Sequence, residues 1–345
     1  MNQVAAELHG STNAALPSAL SHGTPIAQAG TSVSSGRAAM NLRSAEEIAA
    51  IERSGVVVAA ALEAAEAAVV AGVSTAELDA LVRATIVAHG AEPSFLGYPH
   101  AAGGPAFPAS SCISVNNEVV HGIPGARVLN AGDVVKIDVG ARFAGWCADA
   151  AVTVRVPANT NHAFDAHAAD AMVISNAAID AFIADSWQTL HVGIAAMQPG
   201  MRWSEVADRM QRFAVSRGHG MVDGWHGHGV GRSVHEAPQA PSNVSAGLRE
   251  FRDFTLLPGM VLAIEPIVVM GAQGVIDDSG CLIPVPVSVA ADQWTVAVAP
   301  GLVAAHVEHT IAVTRSGPRI LTRRTGVRAG IALNDCNGGS SRLLG

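Results

Sequence analysis

Charged, aromatic and lysine residues are scarce in this 345-residue sequence, and what is missing narrows the classes of protein it can belong to. Charged residues make up 14% of the chain, and the formal net charge is -8, which argues against a surface that binds nucleic acid non-specifically. We expect no sequence-specific nucleic-acid partner either. Lys136 is the single lysine, which we attribute to coding bias. No apolar run reaches the roughly 18 residues of a membrane span, and no basic stretch followed by an apolar one marks a secretion signal.

Cysteines are few and far apart. Cys112, Cys147, Cys281 and Cys336 form no Cys-x-x-Cys pair, so neither a disulfide framework nor a thiolate zinc site is expected. This cysteine usage fits the reducing cytoplasm, which is the localisation that we predict.

The hydrophobic content of 49% is ample for a large core. Residues 1–40 are rich in Ala, Ser and Gly without hydrophobic periodicity, which predicts a disordered extension. Ser44 and Glu47 form a capping-box pattern that predicts a helix from there to about Val70. Ser74 and Glu77 repeat the pattern and predict a second helix, which ends at Gly90.

The same layout returns in the second half of the chain. The segments 72–90 and 200–218 share the spacing of their glycines and a glutamate, at an offset of 128 residues. The segments 132–138 and 259–265 match at an offset of 127 residues, and each ends in an acid. We interpret both matches as an internal duplication with halves of about 41–156 and 161–325, followed by a flexible tail, 326–345. Chance similarity between amphipathic helices and apolar strands is the alternative.

The segment Gly227–Pro238 contains two histidines, His228 and His235, and glycines at 227, 229 and 231. Each glycine costs a helix about 1 kcal/mol, so the pattern favours an extended segment. There, the neighbours of His228 have no side chains and let it approach a metal or polar ligand closely, while a turn returns His235 to the same cavity. Taken alone, either histidine is better explained by an ordinary structural position.

Asp138 and Asp149 lie in two apolar, β-branched stretches that are joined through Ala144-Gly145. This pattern predicts a hairpin in which position 138 faces position 151, so that the two aspartates are diagonal neighbours on one face. Diagonal Cα atoms lie about 7 to 8 Å apart, close enough for the carboxylates to share one cation or two. Burying like charges without compensation is costly, and a metal is the simplest compensation. An exposed pair on an edge strand is the alternative.

Two further acids, Glu265 and Glu308, interrupt apolar strands. An arginine can neutralise one acid, but hardly all four. Four acids with one or two imidazoles and no thiolate form a hard ligand set that suits Mn, Fe(II), Co or Zn in a two-metal site. Two metals about 3.5 to 4 Å apart activate a water for attack on a peptide carbonyl, which predicts a hydrolase.

Five segments, in this order along the chain, resemble the type I methionine aminopeptidases: His121-Gly-Ile-Pro, Lys136-Ile-Asp-Val, Gly227–Pro238, Ile264-Glu-Pro and Glu308-His-Thr. The resemblance extends from about Asn41 to Leu321. It implies an α+β, pita-bread fold, in which two pseudo-symmetric halves form a central curved sheet around a dinuclear metal site. It also implies removal of the initiator methionine from nascent polypeptides whose second residue is small, with two divalent ions (Co, Mn, Fe or Zn) as cofactor.

The resemblance assigns a role to each acid and to the first glycine-flanked histidine. It implies that Asp149 and Glu308 bridge the metals. His228 and Glu265 would complete one metal, and Asp138 would complete the other.

The remaining site residues follow from the same resemblance. His121 and His235 would be unliganded and would donate hydrogen bonds to the scissile amide and the tetrahedral intermediate. Glu265 would also shuttle protons. Substrate methionine would contact Tyr98, Cys112 and Trp294.

The segment 304–306 departs from the family pattern, since Ala-Ala-His replaces Ser-Ala-Gln and puts a monovalent-cation contact in question. A second local departure is the segment 99–106, which looks inserted. Two other functions stay open at this point. An Xaa-Pro aminopeptidase or prolidase shares the fold and the ligands, although its final motif, of the Arg-Ile-Glu-Asp type, differs from Val307-Glu-His-Thr. A non-catalytic pita-bread protein used for binding is expected to have lost ligands, whereas this chain keeps all five.

A cluster of arginines without acids follows the last motif. It predicts either a solvated segment or a phosphate-contacting patch that docks on the ribosome where nascent chains emerge. Its members are Arg315, Arg319, Arg323, Arg324 and Arg328.

Overall fold

We describe the protein from a computed structural model, which covers residues 40–157 and 174–324. The predicted extension before Met40 and the predicted tail therefore lie outside the described residues, and the bounds of the domain stay a prediction. None of the described helices combines the length and the apolarity that crossing a bilayer requires. The helices are α1 (Ala45–Ala68), α2 (Thr75–Ala88), α3 (Asn176–Ala196) and α4 (Trp203–Ser216), with a π-helical turn at Leu248–Arg252. The strands are β1 (Glu92–Pro93), β2 (Cys112–Val115), β3 (Glu118–Val120), β4 (Val134–Phe143), β5 (Trp146–Arg155), β6 (Gly220–Met221), β7 (Gly227–Gly229), β8 (Glu236–Ala240), β9 (Val261–Ile264), β10 (Ile267–Val269), β11 (Val275–Ile276), β12 (Leu282–Ile283), β13 (Ser288–Val289), β14 (Val296–Ala297), β15 (Ala304–His306), β16 (His309–Thr314) and β17 (Gly317–Ile320).

Both predicted helix starts are confirmed by capping boxes. In α1 the Ser44 hydroxyl accepts from the Glu47 backbone, and the Glu47 carboxylate accepts from the Ser44 backbone at 2.9 Å. In α2, Ser74 and Glu77 make the same pair of bonds. These bonds satisfy backbone donors that a helix N-terminus otherwise leaves unpaired.

Two segments that the predicted duplication aligns make matching backbone contacts, while the duplication itself stays a prediction. Helices α2 and α4 are both 14 residues long. Before α2, the Gly72 amide donates to Leu129 O at 2.9 Å, and before α4 the Gly200 amide donates to Leu256 O at 2.8 Å. Both glycines have positive φ, 98° and 90°, a conformation that costs glycine little. The chain therefore enters α2 and α4 through the same kind of glycine turn and backbone contact.

Two antiparallel sheets carry the acids and meet along one seam. Strand β4 pairs with β1, β2 and β5, and a five-stranded sheet has the order β17-β16-β9-β7-β8. Helix α1 packs on β4 and β5. Between the sheets, the Asp149 amide donates to the Thr310 hydroxyl at 3.0 Å, that hydroxyl donates to Asp149 O at 2.7 Å, and the Glu308 amide donates to Ala151 O at 3.0 Å. The expected central curved sheet thus consists of two hydrogen-bonded sheets. They are joined at β5 and β16 partly by the side chain of Thr310.

Lys136 has a structural position that coding bias does not explain. Its side chain on β4 is buried, and Nζ donates to Asn116 O at 2.8 Å. Burial lowers the pKa of Lys136 to about 7. The Ala304 amide donates to the same carbonyl at 3.1 Å, so this lysine ties β4 to the start of β15.

Candidate active site

The β4–β5 hairpin has the predicted register. Asp138 pairs with Ala151 and Asp149 pairs with Gly140, which makes the two aspartates diagonal neighbours. The turn residues Ala144 and Gly145 have φ values of 49° and 77°, as the tight turn between twisted strands requires. Both carboxylates are buried, so the alternative of an exposed edge pair is wrong.

The other two acids lie at strand breaks in the second half. Glu265 separates β9 from β10, and Glu308 lies between β15 and β16. Because β16 pairs with β9 so that His309 faces Ile264, the two glutamates following and preceding that pair are close neighbours. Glu308 reaches Asp138 and Asp149 across the seam, and Glu265 reaches Glu308 and His228.

His228 lies on β7, the strand between β8 and β9, where the segment is extended as predicted. The glycines that flank His228 are also required by the close approach of neighbouring backbone, in addition to giving a ligand access to the histidine. A Cβ at Gly229 would lie 2.3 Å from Ala237 O, and one at Gly227 would lie 2.4 Å from Ala263 O. No larger residue fits between these backbones.

The hydrogen bond of His228 fixes the proton on its ring. Nδ1 lies 3.0 Å from Gly229 O, and because a carbonyl can only accept, Nδ1 carries the proton. The lone pair of Nε2 then faces Glu265 Oε1 at 3.6 Å and Asp149 Oδ2 at 3.8 Å. An unprotonated nitrogen that faces carboxylates is the arrangement a metal ligand needs.

Ligand atoms of these side chains form three overlapping groups, each with all of its atoms within 4.8 Å of one another. Asp149, His228 and Glu308 each belong to two of the groups. The groups are Asp138, Asp149 and Glu308; His228, Glu265 and Glu308; and Asp149, His228 and His235.

The electrostatics of the cluster favour a bound cation. Burial raises the pKa of Asp138 to about 7, and burial with neighbouring carboxylates raises the pKa values of Asp149 and Glu308 well above the ordinary range. Within the described residues, one buried oxygen atom of each of these acids lacks a hydrogen-bond partner. Buried carboxylates without protein partners have the chemistry of a divalent-ion site, so these residues fit the metal that the sequence predicts.

His121 and His235 both line the cavity beside the acids. Burial lowers the pKa of His121 to about 4, and burial with the nearby His228 lowers that of His235 well below its ordinary value. Both imidazoles are therefore neutral at pH 7. His235 Nδ1 lies 2.7 Å from the Tyr98 hydroxyl, so Tyr98 also holds the ring of His235.

The predicted methionine-pocket residues lie together at the same cavity. Trp294 donates its indole N–H to Pro105 O at 2.9 Å and contacts Phe107 edge-on. Cys112 faces Asp138 across the β2–β4 ladder, and burial raises the pKa of its thiol, which therefore stays protonated. The remaining lining residues, which sequence reasoning missed, are Phe95, Pro99, Ala101, Phe107, Gly224, Trp225 and His226.

Some of the missed residues had a signal in the sequence. Pro99 and Ala101 belong to the segment 99–106, which looks inserted and lies against Trp294. Trp225 and His226 directly precede the Gly227 segment. For Phe95 no sequence pattern indicated a place at the cavity.

His306 is a further residue whose place at the acids sequence reasoning missed. Its Nε2 lies 3.4 Å from Glu265 Oε2 and 3.8 Å from Glu308 Oε2. Burial raises the pKa of Glu265, but the adjacent His306, with His228 and His121, outweighs it and lowers that pKa overall. The departure of segment 304–306 from the family pattern was the available signal.

Two arginines of the cluster form ion pairs with glutamates of α1. Arg319 pairs with Glu52, and Arg324 pairs with Glu66 and lies over the Trp187 ring. Arg315 and Arg323 are exposed, and Arg328 lies outside the described residues.

Known proteins resemble this chain over most of its length. It is 40% identical over 294 residues to methionine aminopeptidase 1 of Mycobacterium tuberculosis, which covers 83% of this chain and 96% of that protein. Methionine aminopeptidase 1 of Bacillus subtilis is 36% identical over 281 residues, covering 80% and 96%.

Solved structures confirm the pita-bread fold. Methionine aminopeptidase from Thermotoga maritima superposes with a TM-score of 0.69 at 31% identity, over 83% of this chain and 100% of that chain. Prolidase from Pyrococcus furiosus shares the fold with a TM-score of 0.59 at 21% identity, over 83% and 66%. The model of metallopeptidase family M24 matches residues 49–315. The chain therefore belongs to metallopeptidase family M24 and is a metal-dependent hydrolase.

Proposed function

We propose that this protein removes the initiator methionine from nascent polypeptides when the second residue is small. The observation that carries the proposal is the pair of ligand groups that share Glu308 beside an aromatic cavity. The curated relatives named methionine aminopeptidase support the substrate. A prolidase is less well supported, because the prolidases share the fold at about half the identity of the M. tuberculosis relative.

The proposed cofactor is a pair of divalent ions, Co, Mn, Fe or Zn. Asp138, Asp149, His228, Glu265 and Glu308 would hold the ions. When bound, ions of this kind lower the pKa of water and polarise a carbonyl. The shared Glu308 and the orphaned carboxylate oxygens support this assignment.

The protein's own residues would position the substrate and stabilise charge. His121 and His235 are neutral and half-buried, so each has an N–H to donate to an amide or a developing oxyanion. The phenol of Tyr98, when it donates to His235 Nδ1, leaves the Nε2 proton of His235 for that purpose. Glu265 is the proposed proton carrier, because its lowered pKa keeps it ionised and able to accept a proton at neutral pH.

The apolar side of the cavity supports selection of methionine. Tyr98, Trp294 and Phe107 supply aromatic walls, and the protonated thiol of Cys112 supplies a soft contact for a thioether. A flexible, polarisable side chain fits such a slot, whereas a charged side chain would lose its hydration without a partner.

The test compares Met-Ala-Ser with an Xaa-Pro tripeptide, after chelation and readdition of Mn, Fe(II), Co or Zn. We expect metal-dependent cleavage of Met-Ala-Ser and little cleavage of the Xaa-Pro peptide. A Met-Arg peptide serves as the control for the second residue, and it should be cleaved far more slowly than Met-Ala. Preferential cleavage of the Xaa-Pro peptide would replace this proposal by the prolidase alternative.

We further propose that the protein docks on the ribosome through the arginine cluster. A truncation after residue 314 would remove the cluster but would not be a clean test. It would break the two ion pairs with α1 and remove β17, which pairs with β16, and so would disturb the sheet beside the acids. An Arg315→Gln/Arg328→Gln variant avoids this. If the patch contacts phosphates, the variant should bind ribosomes more weakly, with a smaller salt dependence than the wild-type protein. Equal binding at every salt concentration would remove the docking proposal.

A further inference from the structure

His306 is held rigidly by its backbone beside the seam of the two sheets. Its carbonyl accepts from the Thr153 hydroxyl at 2.6 Å, and its amide donates to the same hydroxyl oxygen at 2.9 Å. It also pairs with Ile267 on β10, two residues after Glu265. The residue is 1% exposed, so its ring has little freedom to turn towards solvent.

Within the described ranges, the only polar groups that the His306 ring approaches are two carboxylates. Neither nitrogen makes a well-formed hydrogen bond there, although a buried polar atom normally finds a partner. Nε2 faces two carboxylate oxygens, Glu265 Oε2 at 3.4 Å and Glu308 Oε2 at 3.8 Å. A carboxylate can only accept, so a proton on Nε2 turns this approach into an attraction.

Glu265 thus lies between two imidazoles of opposite character. His228 presents a lone pair at 3.6 Å from Oε1, because its proton is on Nδ1. His306 presents Nε2 to Oε2 on the other side. Donation to Oε2 would fix the rotation of the carboxylate and direct Oε1 towards His228 and the shared ligand group.

We propose that His306 is a positioning residue, which donates Nε2–H to Glu265 Oε2 and so orients Oε1 for the metal. The inference rests on the proposed role of Glu265 as a ligand and proton carrier. Partners that orient metal ligands in this way typically contribute about 10- to 100-fold to metal affinity or activity. His306 would touch neither substrate nor metal.

The test uses a matched pair of variants. His306→Gln keeps an N–H donor of similar reach, and His306→Met has a similar length without a donor. His219→Gln, at another buried histidine outside the cavity, controls for the loss of an imidazole. The readouts are Mn(II) affinity by calorimetry, the visible absorption spectrum of the Co(II) protein, kcat and KM on Met-Ala-Ser, and the melting temperature.

We expect His306→Met to bind Mn(II) about 10- to 100-fold more weakly and to lower kcat with little change in KM. His306→Gln should stay within a few-fold of the wild-type protein, and His219→Gln should leave metal affinity unchanged. If His306→Met does not fold, His306→Asn replaces it, since its shorter amide cannot reach Oε2 and should show the same loss.

Other results would overturn the proposal in distinct ways. Wild-type metal affinity and kcat in His306→Met, with a lower melting temperature, would assign the residue to packing alone. Equal loss of metal in the Gln and Met variants, with an altered Co(II) spectrum in both, would make His306 a ligand. Wild-type protein that binds no divalent ion would instead refute the proposed function, and the positioning role with it. Metal-dependent cleavage of the Xaa-Pro peptide would refute the substrate assignment while leaving the role of His306 to be decided by the variants.

Discussion

Removal of metal should destabilise the wild-type protein at high pH and should make Asp138→Asn the more stable of the two. Burial raises the pKa of Asp138 from 3.8 to about 7. Between these values the folded state binds more protons than the unfolded chain, so stability falls as the pH rises and stays low above about 7. A pKa of about 7 in place of 3.8 corresponds to an upper limit of about 4 kcal/mol of destabilisation from this carboxyl when it is charged. Asparagine has nearly the same shape and no charge to bury.

The assay is urea unfolding followed by tryptophan fluorescence, in chelator, at pH 5 to 8. Metal-free Asp138→Asn should exceed the wild-type protein by up to about 4 kcal/mol at pH 8, and the difference should shrink towards pH 5. Histidines with a lowered pKa, such as His121 with a pKa of about 4, destabilise both proteins alike as the pH falls below about 6.5 and cancel in the difference. Saturating Mn(II) should reverse the order, because it stabilises the state that keeps all of its ligands.

Asp278→Asn, at an exposed acid, is the matched control for the exchange of an aspartate for an asparagine. Parallel pH profiles for wild-type protein and Asp138→Asn in chelator would refute the electrostatic reasoning. A wild-type protein that stays the less stable in Mn(II) would refute the assignment of Asp138 as a ligand.

Three further predictions follow from single contacts. Glu308→Ala should abolish turnover and weaken metal retention measured by elemental analysis, because it removes the acid that two ligand groups share; full activity would contradict the assignment. His235→Ala should retain its metal and lower kcat by roughly 10²- to 10³-fold, as expected for loss of one oxyanion donor, whereas loss of metal would identify His235 as a ligand. Gly229→Ala should lower the free energy of unfolding by roughly 3 kcal/mol, because its Cβ would lie 2.3 Å from Ala237 O, while Gly125→Ala, with open space at its Cβ, should be nearly neutral.

Local signals in the sequence predicted the helix starts and the acidic hairpin correctly. Ser44 and Glu47 are three residues apart, and Ala144-Gly145 joins its strands directly, so each interaction is decided by near neighbours. The register of the hairpin then placed Asp138 and Asp149 on one face. The assignment of catalytic roles to His121 and His235 came from the resemblance and stays a prediction.

Contacts between distant segments were not predictable from patterns of this kind. Thr310 joins the two sheets through Asp149, which is 161 residues away in the chain. Phe95 reaches the cavity because a glycine, Gly140, leaves room for its ring; a Cβ there would lie 2.8 Å from it. The departure of segment 304–306 from the family pattern marked His306, but only the pairing of β15 with β10 places its ring beside Glu265.

The duplicated halves differ in how far apart their acids are in the chain, and this difference bears on the order of folding. Asp138 and Asp149 meet within one hairpin of adjacent strands, and such hairpins form within about 1 to 10 μs. Glu265 and Glu308 are brought together by β9 and β16, which close a loop about four times longer, at an entropic cost about 1 kcal/mol higher. A refolding chain should therefore bring Asp138 and Asp149 together first, and should add Glu308, Glu265 and His228 only after the second half has docked.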